Sequence, residues 1–388
     1  MAAAATLVVL AWVGLPGRDG TSSTSALAAT MATAMRRGTL STRTLQGQYV
    51  ETTFPSDGAR SPQVRRVRFA IDARGSYRAA WTSVRGLRTV RAYDAETLTW
   101  REWWVSLTGR PGMGEEYTGV VDYGLDVFPT PPVSRLGAAV RAALAAPQAG
   151  LHISETTYAG RAAWRMDRRV PDWDRGTKEE VALVDQDTGF TMLYRLGTAN
   201  RPTYEWRLTQ FVVDTVLSRD WLSGGFPKGT RVARRPGEAT RVDPGALGAK
   251  LRVDGLAPGW VPRGYELTDA AITRGEGPVS RSPRGSLTYR RGFDRFVVGI
   301  VPNAAIPPGS GDPFDVVGSR TPTTRMALGD GAFQGRRATL VLVPDLAPYL
   351  WVTGDEETVT IAGDLTPAEL VAVAESLRAL PANRTPSR

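Results

Sequence analysis

Residues 44–54 read TLQGQYVETTF and residues 64–72 read VRRVRFAID. In the second stretch Val67, Phe69 and Ile71 recur at every other position, the period at which strand side chains share a face. Between the two lies Pro55-Ser56-Asp57-Gly58, a cluster of turn-forming residues. Strand, turn and strand are therefore predicted, and the pattern goes on. Ser76–Ser83, Arg88–Asp94 and Leu98–Val105 read as further strands, with Arg74-Gly75, Gly86 and Asp94-Ala95-Glu96 as their turns. A spacing of roughly ten to twelve residues is what an antiparallel meander produces.

Helices flank this run. From Ser25 to Arg37, Leu27, Met31 and Met35 recur every four residues, and Gly38 stands where a C-terminal cap would. Arg135–Ala145 reads as a second helix, stopped by Pro147. Strands resume at Leu151–Thr157, Ala162–Val170, Val181–Val184, Phe190–Leu196 and Thr203–Phe211, with Asp185-Gln186-Asp187-Thr188-Gly189 as a hairpin turn. The Gly-, Pro- and Arg-rich stretch 223–253 reads as a linker. A smaller unit follows, with strands at Tyr265–Ile272, Ser286–Arg290, Arg295–Val301, Ala338–Val343, Tyr349–Thr353 and Thr358–Ala362. Its last helix opens with Thr366, Pro367 and Glu369, a capping box with proline at the first helical position. Leu370, Val373, Ala374 and Leu377 form that helix's apolar stripe. Residues 302–325 read as a long Pro-rich loop. The expected division is a signal-like or membrane-anchor segment at 1–24, a sheet domain at 25–222, the linker, a smaller α+β domain at 254–380 and a tail at 381–388.

Composition removes much chemistry. The 388 residues include no Cys, so disulfides, thiolate metal sites and cysteine nucleophiles are excluded, and a single His, His152, excludes a two-His metal site. His152 sits in the alternation Leu151-His152-Ile153 with no nucleophile elbow to serve, and reads as a strand residue at a sheet surface. The paired acids Glu115-Glu116, Glu179-Glu180 and Glu356-Glu357 point to opposite faces of a strand and read as solvated edges. Gly109–Gly114 has the wrong spacing for a dinucleotide loop and reads as a turn. No catalytic residue, metal site or cofactor is expected. The net charge of +9 comes from 45 arginines and three lysines spread along the chain. Its densest cluster, Arg65-Arg66-Val67-Arg68, lies within a strand, so nucleic acid is not expected as a partner.

Ala2–Leu15 is apolar except for Thr6, too short for the ~18–20 residues of a membrane-spanning helix. It reads as the core of a secretory signal, with Ala26-Leu27-Ala28 as a small-residue cleavage site, or as the outer part of a transmembrane anchor; the alternative is a buried helix. The first two readings place the bulk of the chain outside the cytoplasm, secreted or anchored at the cell envelope.

Leu45-Gln46-Gly47-Gln48-Tyr49-Val50-Glu51-Thr52 after a helix resembles the opening of LolA-type lipoprotein carriers and of MucB/RseB-type periplasmic regulators of sigma factors. Val184–Phe190 is similar to their later hairpin. Pro258–Tyr265, Leu287-Thr288-Tyr289 before Phe296–Gly299, and Leu365–Leu377 are similar to parts of the second domain. The resemblance spans residues 25–380. It implies an α+β fold in which a curved antiparallel half-barrel sheet is covered by helices, encloses an apolar cavity for acyl chains and is joined to a smaller α+β domain. It also implies a membrane partner such as an anti-sigma factor. Without Cys there is no lipid-attachment cysteine, so an anchor would have to be the N-terminal apolar segment.

Eight of the eleven tryptophans fall between positions 81 and 221. Trp100 and Trp104 share one face of their strand and Trp103 takes the other. Trp81, Trp100, Trp104, Trp164 and Trp206 are the residues expected to line a groove for a hydrophobic ligand, although each ring could equally fill a core. The expected function is a non-enzymatic envelope regulator or sensor that binds an acyl ligand and modulates a membrane partner. The alternatives are a lipid or lipoprotein carrier, or the extracytoplasmic part of a membrane-bound anti-sigma-like protein.

Overall fold

Alternating apolar and polar residues over positions 44–118 are realised as consecutive antiparallel strands. The computed structural model describes residues 21–380 except 56–60, 83–85, 107–111, 119–131, 146–149, 173–175, 199–200, 219–220, 223–224, 237–238, 275–282, 307–322 and 344–345. Helix α1 (Thr21–Ser41) leads into β1 (Thr44–Thr53), β2 (Gln63–Asp72), β3 (Tyr77–Thr82), β4 (Leu87–Asp94), β5 (Thr99–Ser106) and β6 (Met113–Thr118). Helix α2 (Pro132–Ala145) is followed by β7 (His152–Tyr158), β8 (Arg161–Asp172), β9 (Gly176–Asp185), β10 (Thr191–Thr198) and β11 (Arg201–Val213). With β12 (Arg231–Pro236) they form one twelve-stranded sheet in the order β12-β6-β5-β4-β3-β2-β1-β11-β10-β9-β8-β7. The first and second meanders meet where β1 pairs with β11, and all pairings are antiparallel except β12 with β6.

The helices lie on one face of this curved sheet, α1 against β7 and α2 against β10. Met31 and Met35 of α1, and Leu136 and Val140 of α2, join Leu45, Phe69, Tyr194 and Trp206 in a single core. Gly38 does not end α1, which runs on to Ser41. The glycine is there for a close approach: a Cβ would lie 1.8 Å from the Thr188 carbonyl oxygen, so only hydrogen lets the helix dock on the β9–β10 turn. Asp185 organises that turn, accepting from the Thr188 amide at 2.7 Å and pairing with Arg161.

The stretch 223–253 carries β12, β13 (Ala239–Arg241) and a short helix, α3 (Leu247–Leu251). Phe226 packs on Trp103 with Val90 and Ala92 on the outer face of the sheet, ring centroids 5.6 Å apart. Arg78 stacks on both Trp103 and Trp221 there. The Gly109–Gly114 motif ends inside β6, whose first residue is Met113.

The C-terminal unit holds β14 (Leu256–Pro258), β15 (Glu266–Arg274), β16 (Pro283–Arg291), β17 (Asp294–Pro302), β18 (Thr323–Ala327), β19 (Arg337–Val341), β20 (Tyr349–Thr353), β21 (Glu357–Gly363), helix α4 (Pro367–Glu375) and β22 (Leu377–Ala379). Its eight-stranded sheet runs β13-β15-β16-β17-β21-β20-β19-β18, and β14 pairs with β22 beside it. The capping box of α4 is formed: Thr366 Oγ1 accepts from the Glu369 amide while the Glu369 carboxylate accepts from the Thr366 amide. Leu370, Val373, Ala374 and Leu377 are all buried in a second core. The expected fold class, α+β with a large helix-covered sheet and a smaller second sheet, is the one observed. Ala2–Leu15, Trp173, residues 307–322 of the Pro-rich insertion and the 381–388 tail lie outside the described residues.

The tip of the β16–β17 hairpin joins the two units. Phe293 enters the first core, its amide donating to the Thr39 carbonyl at 2.9 Å and its ring meeting Phe190 edge-on. Behind it, Arg141 of α2 reaches Asp294 and Asp364 of the second unit.

Candidate functional site

Strand register determines what the inner face of the large sheet presents. Three rows of side chains cross it. The first, Ile71, Tyr77, Tyr93, Trp100 and Tyr117, is apolar. The second, Phe69, Ala79, Arg91, Glu102 and Glu115, turns charged beyond Ala79. The third runs Tyr49, Val67, Trp81, Thr89, Trp104 and Met113. This third row passes from buried Tyr49 and Val67, at 5% and 2% exposed, through half-buried Trp81, Thr89 and Trp104, to Met113 at 55%. It is an apolar strip that leaves the core and surfaces at the β6 side.

All five tryptophans expected to line a groove face inward, but they divide into two groups. Trp100, Trp164 and Trp206 are 7%, 6% and 0% exposed and are part of the packed core. Trp206 lies 5.7 Å from Tyr49 between ring centroids, and Trp100 lies 5.3 Å from Tyr117. Trp81 and Trp104 occupy the strip. Two guanidinium groups stack on Trp81, Arg65 at 5.3 Å and Arg91 at 5.1 Å from its ring centroid, a double cation–π contact. Each arginine is paired in turn, Arg65 with Glu51 at 3.6 Å and Arg91 with Glu102 at 2.9 Å.

Sequence reading missed this charged lattice. The signal was present in the alternation: Arg65 shares a face with Val67 and Phe69, and Arg91 with Tyr93. The paired acids behave similarly. Glu180 is completely buried, bonded to Arg168 and accepting from the Tyr194 hydroxyl at 2.7 Å, so it is no solvated edge. Glu116, on the outer face, is clamped by Arg101 and Arg234, which hold its carboxyl below the usual range although burial opposes them. Burial pushes the Tyr49 phenol well up, with Glu51 adding to the effect. His152 is exposed on β7, opposite Asp167. Among the described residues no group of three or more His, Asp or Glu side chains is placed to hold a metal ion.

A concavity of about 460 Å³, away from the strip, opens between the two units. Ala73, Tyr93 and Leu98 from the N-terminal unit give it an apolar wall, and Arg241, Thr288, Arg290 and Arg295 line the opposite side.

No protein-family model matches the chain, and no curated protein matches it. Among solved structures it is similar to MucB, at 17% identity and a TM-score of 0.32 over 93% of this chain and 99% of that one. The complex of Pseudomonas aeruginosa MucA and MucB aligns at 18% identity and a TM-score of 0.31, over 92% of this chain and 99% of that chain. A putative outer membrane lipoprotein-sorting protein domain from Vibrio parahaemolyticus aligns at 7% identity and a TM-score of 0.22, over 51% of this chain and 97% of that one. These are the same two groups that the sequence resembles. At these TM-scores the likenesses carry no functional argument, and the reading of the site rests on its own geometry. Among the described residues no helix is long and apolar enough to cross a membrane.

Proposed function

We propose that this chain is a non-enzymatic cell-envelope regulator that binds an acyl or other hydrophobic ligand on the inner face of its large sheet and modulates a membrane partner such as an anti-sigma factor. The observation that carries the ligand reading is the strip from Tyr49 to Met113, apolar throughout except for Thr89, which starts in the core and ends at the surface. An alkyl chain lying along Trp81, Trp104 and Met113 would bury about 0.8 kcal/mol per CH₂, before ordering costs. The guanidinium pair on Trp81, each member paired with a glutamate, packs against the indole and fixes it within the strip. An extracytoplasmic location and the anti-sigma partner follow the sequence resemblance and remain part of the proposal. Organic extraction and mass spectrometry of the purified protein should recover lipid, and added fatty acid should change tryptophan fluorescence in the native chain but not in Trp81→Ala/Trp104→Ala. Absence of lipid together with fluorescence indifferent to fatty acid would end the ligand reading. A pull-down from membranes that fails to recover an anti-sigma factor would end the partner reading.

A further inference from the structure

Three arginines of the large sheet face a glutamate on the next strand and pair with it: Arg65 with Glu51, Arg91 with Glu102 and Arg101 with Glu116. Arg66 and Arg68 of β2 and Arg88 of β4 are placed differently. Alternation with buried Val67 and Phe69 turns the first two to the outer face, and Arg88 joins them there beside Val90. Their cross-strand neighbours are uncharged. Gln48 and Ala80 flank Arg68, Val50 stands beside Arg66, and Thr82 and Val105 flank Arg88. All three side chains are exposed, and among the described residues none of them is in an ion pair.

Register puts Arg66 and Arg88 in one row, two strands and so about 10 Å apart, with Arg68 about 7 Å from Arg66 along β2. Guanidiniums spread in this way do not converge on one small anion; they suit a partner that repeats negative charge over a plane. Exposed apolar groups share the face. Val64 precedes Arg66 by two residues, and Trp221 lies against Arg78, which donates to its carbonyl at 2.8 Å and stacks on its ring. Burial first, and then the charge on Arg88, hold the Arg78 guanidinium below its usual range. Duplex DNA would engage the cations and leave Val64 and Trp221 in water. A bilayer takes both, because an indole settles at the headgroup level while guanidiniums bond to phosphate.

We propose that this outer face docks on an anionic lipid bilayer, with Arg66, Arg68 and Arg88 on headgroup phosphates and Trp221 and Val64 seated among the headgroups. Each arginine held near an anionic surface strengthens binding about fivefold, so three make a reversible, salt-sensitive anchor. The helices and the acyl strip occupy the opposite face, so docking leaves the strip free and does not depend on it.

The test is co-sedimentation of the full chain with vesicles of phosphatidylglycerol and phosphatidylcholine in equal parts. Binding is expected, at least tenfold stronger than to pure phosphatidylcholine and released by high salt. Arg66→Gln/Arg68→Gln/Arg88→Gln should lose at least tenfold, melt as the native chain does and still bind fatty acid. Arg263→Gln/Arg325→Gln/Arg337→Gln removes the same charge from exposed positions of the C-terminal unit and should bind vesicles like the native chain. The inference is overturned if the native chain ignores the anionic vesicles, if phosphatidylcholine alone binds equally well, or if the two triple variants lose binding equally. Tighter binding to duplex DNA than to the vesicles would also overturn it. Loss of vesicle binding in Trp104→Ala but not in the β2–β4 triple variant would do the same, while leaving the acyl proposal standing.

Discussion

Arg141, on a helix of the N-terminal unit, places its Nη2 2.6 Å from Oδ1 of Asp364 in the C-terminal unit. The same nitrogen lies 3.1 Å from Asp294, and all three side chains are nearly closed to solvent. Arg291 pairs with Asp294 at 3.1 Å and stacks on Tyr265, whose hydroxyl donates to the Asp364 carbonyl. Removing one partner from such a cluster leaves an uncompensated buried charge, a loss of about 3–5 kcal/mol. Arg141→Met should therefore lower the urea midpoint strongly. Unchanged stability in equilibrium unfolding would show that the two units do not depend on this contact.

Burial, opposed by Arg141 and reinforced by Asp294, pushes the Asp364 carboxyl up to about 6. An unfolded aspartate titrates near ~3.9, so between these values the folded chain holds a proton that the unfolded chain has released. This group's stabilising contribution is complete below the unfolded value and is lost as pH rises through about 6. The stability of the native chain relative to Asp364→Asn should fall between pH 4 and pH 6, then level off. A difference that is flat across that window would contradict the assignment.

Gly75 adopts φ +89°, and a Cβ there would meet the Arg290 guanidinium. Gly75→Ala should cost about 1–3 kcal/mol from backbone strain and should also displace Arg290. A thermal melt within a degree of the native value would show that the turn relaxes freely.

Tryptophans on the same sheet face should respond very differently to truncation. Trp206→Ala, at a fully buried ring, should destabilise by about 3–5 kcal/mol. Trp104→Ala, on the half-buried strip, should cost far less stability and reduce fatty-acid binding instead. Equal losses of stability would assign Trp104 to the core.

At the C-terminal helix, Thr366→Ala removes the hydroxyl that accepts from the Glu369 amide. A loss of about 1 kcal/mol is expected, measurable by urea unfolding. Since the cap is far from the strip, fatty-acid binding should be unaffected.

Elements whose signal is local were legible. The strand periods at 44–53, 63–72 and 99–106 and the capping box of the last helix needed only side-chain alternation and one hydroxyl at the right offset. Gly38 was misread because a glycine near a helix end reports only that a Cβ is unwelcome, not whether backbone conformation or a neighbouring carbonyl forbids it. Strand β6 was masked by the glycines that precede it. Phe226 and Arg231–Pro236 lack periodicity, and they are ordered by contact with Trp103 and by pairing with β6, neither of which is local in sequence.

A β-rich pattern without thiols or paired histidines, and the concentration of indoles between positions 81 and 221, are legible in the amino-acid sequence because composition and periodicity are properties of short windows. Which of those indoles are core and which reach the surface depends on how distant segments pack together. Register alone places Trp81, Trp104 and Met113 in one row, and helix cover alone separates them from Trp206. The joining of the units through Arg141 and Asp364, more than two hundred positions apart, belongs to the same category. A buried ion pair is specified by where two chain segments meet, and no local pattern announces that.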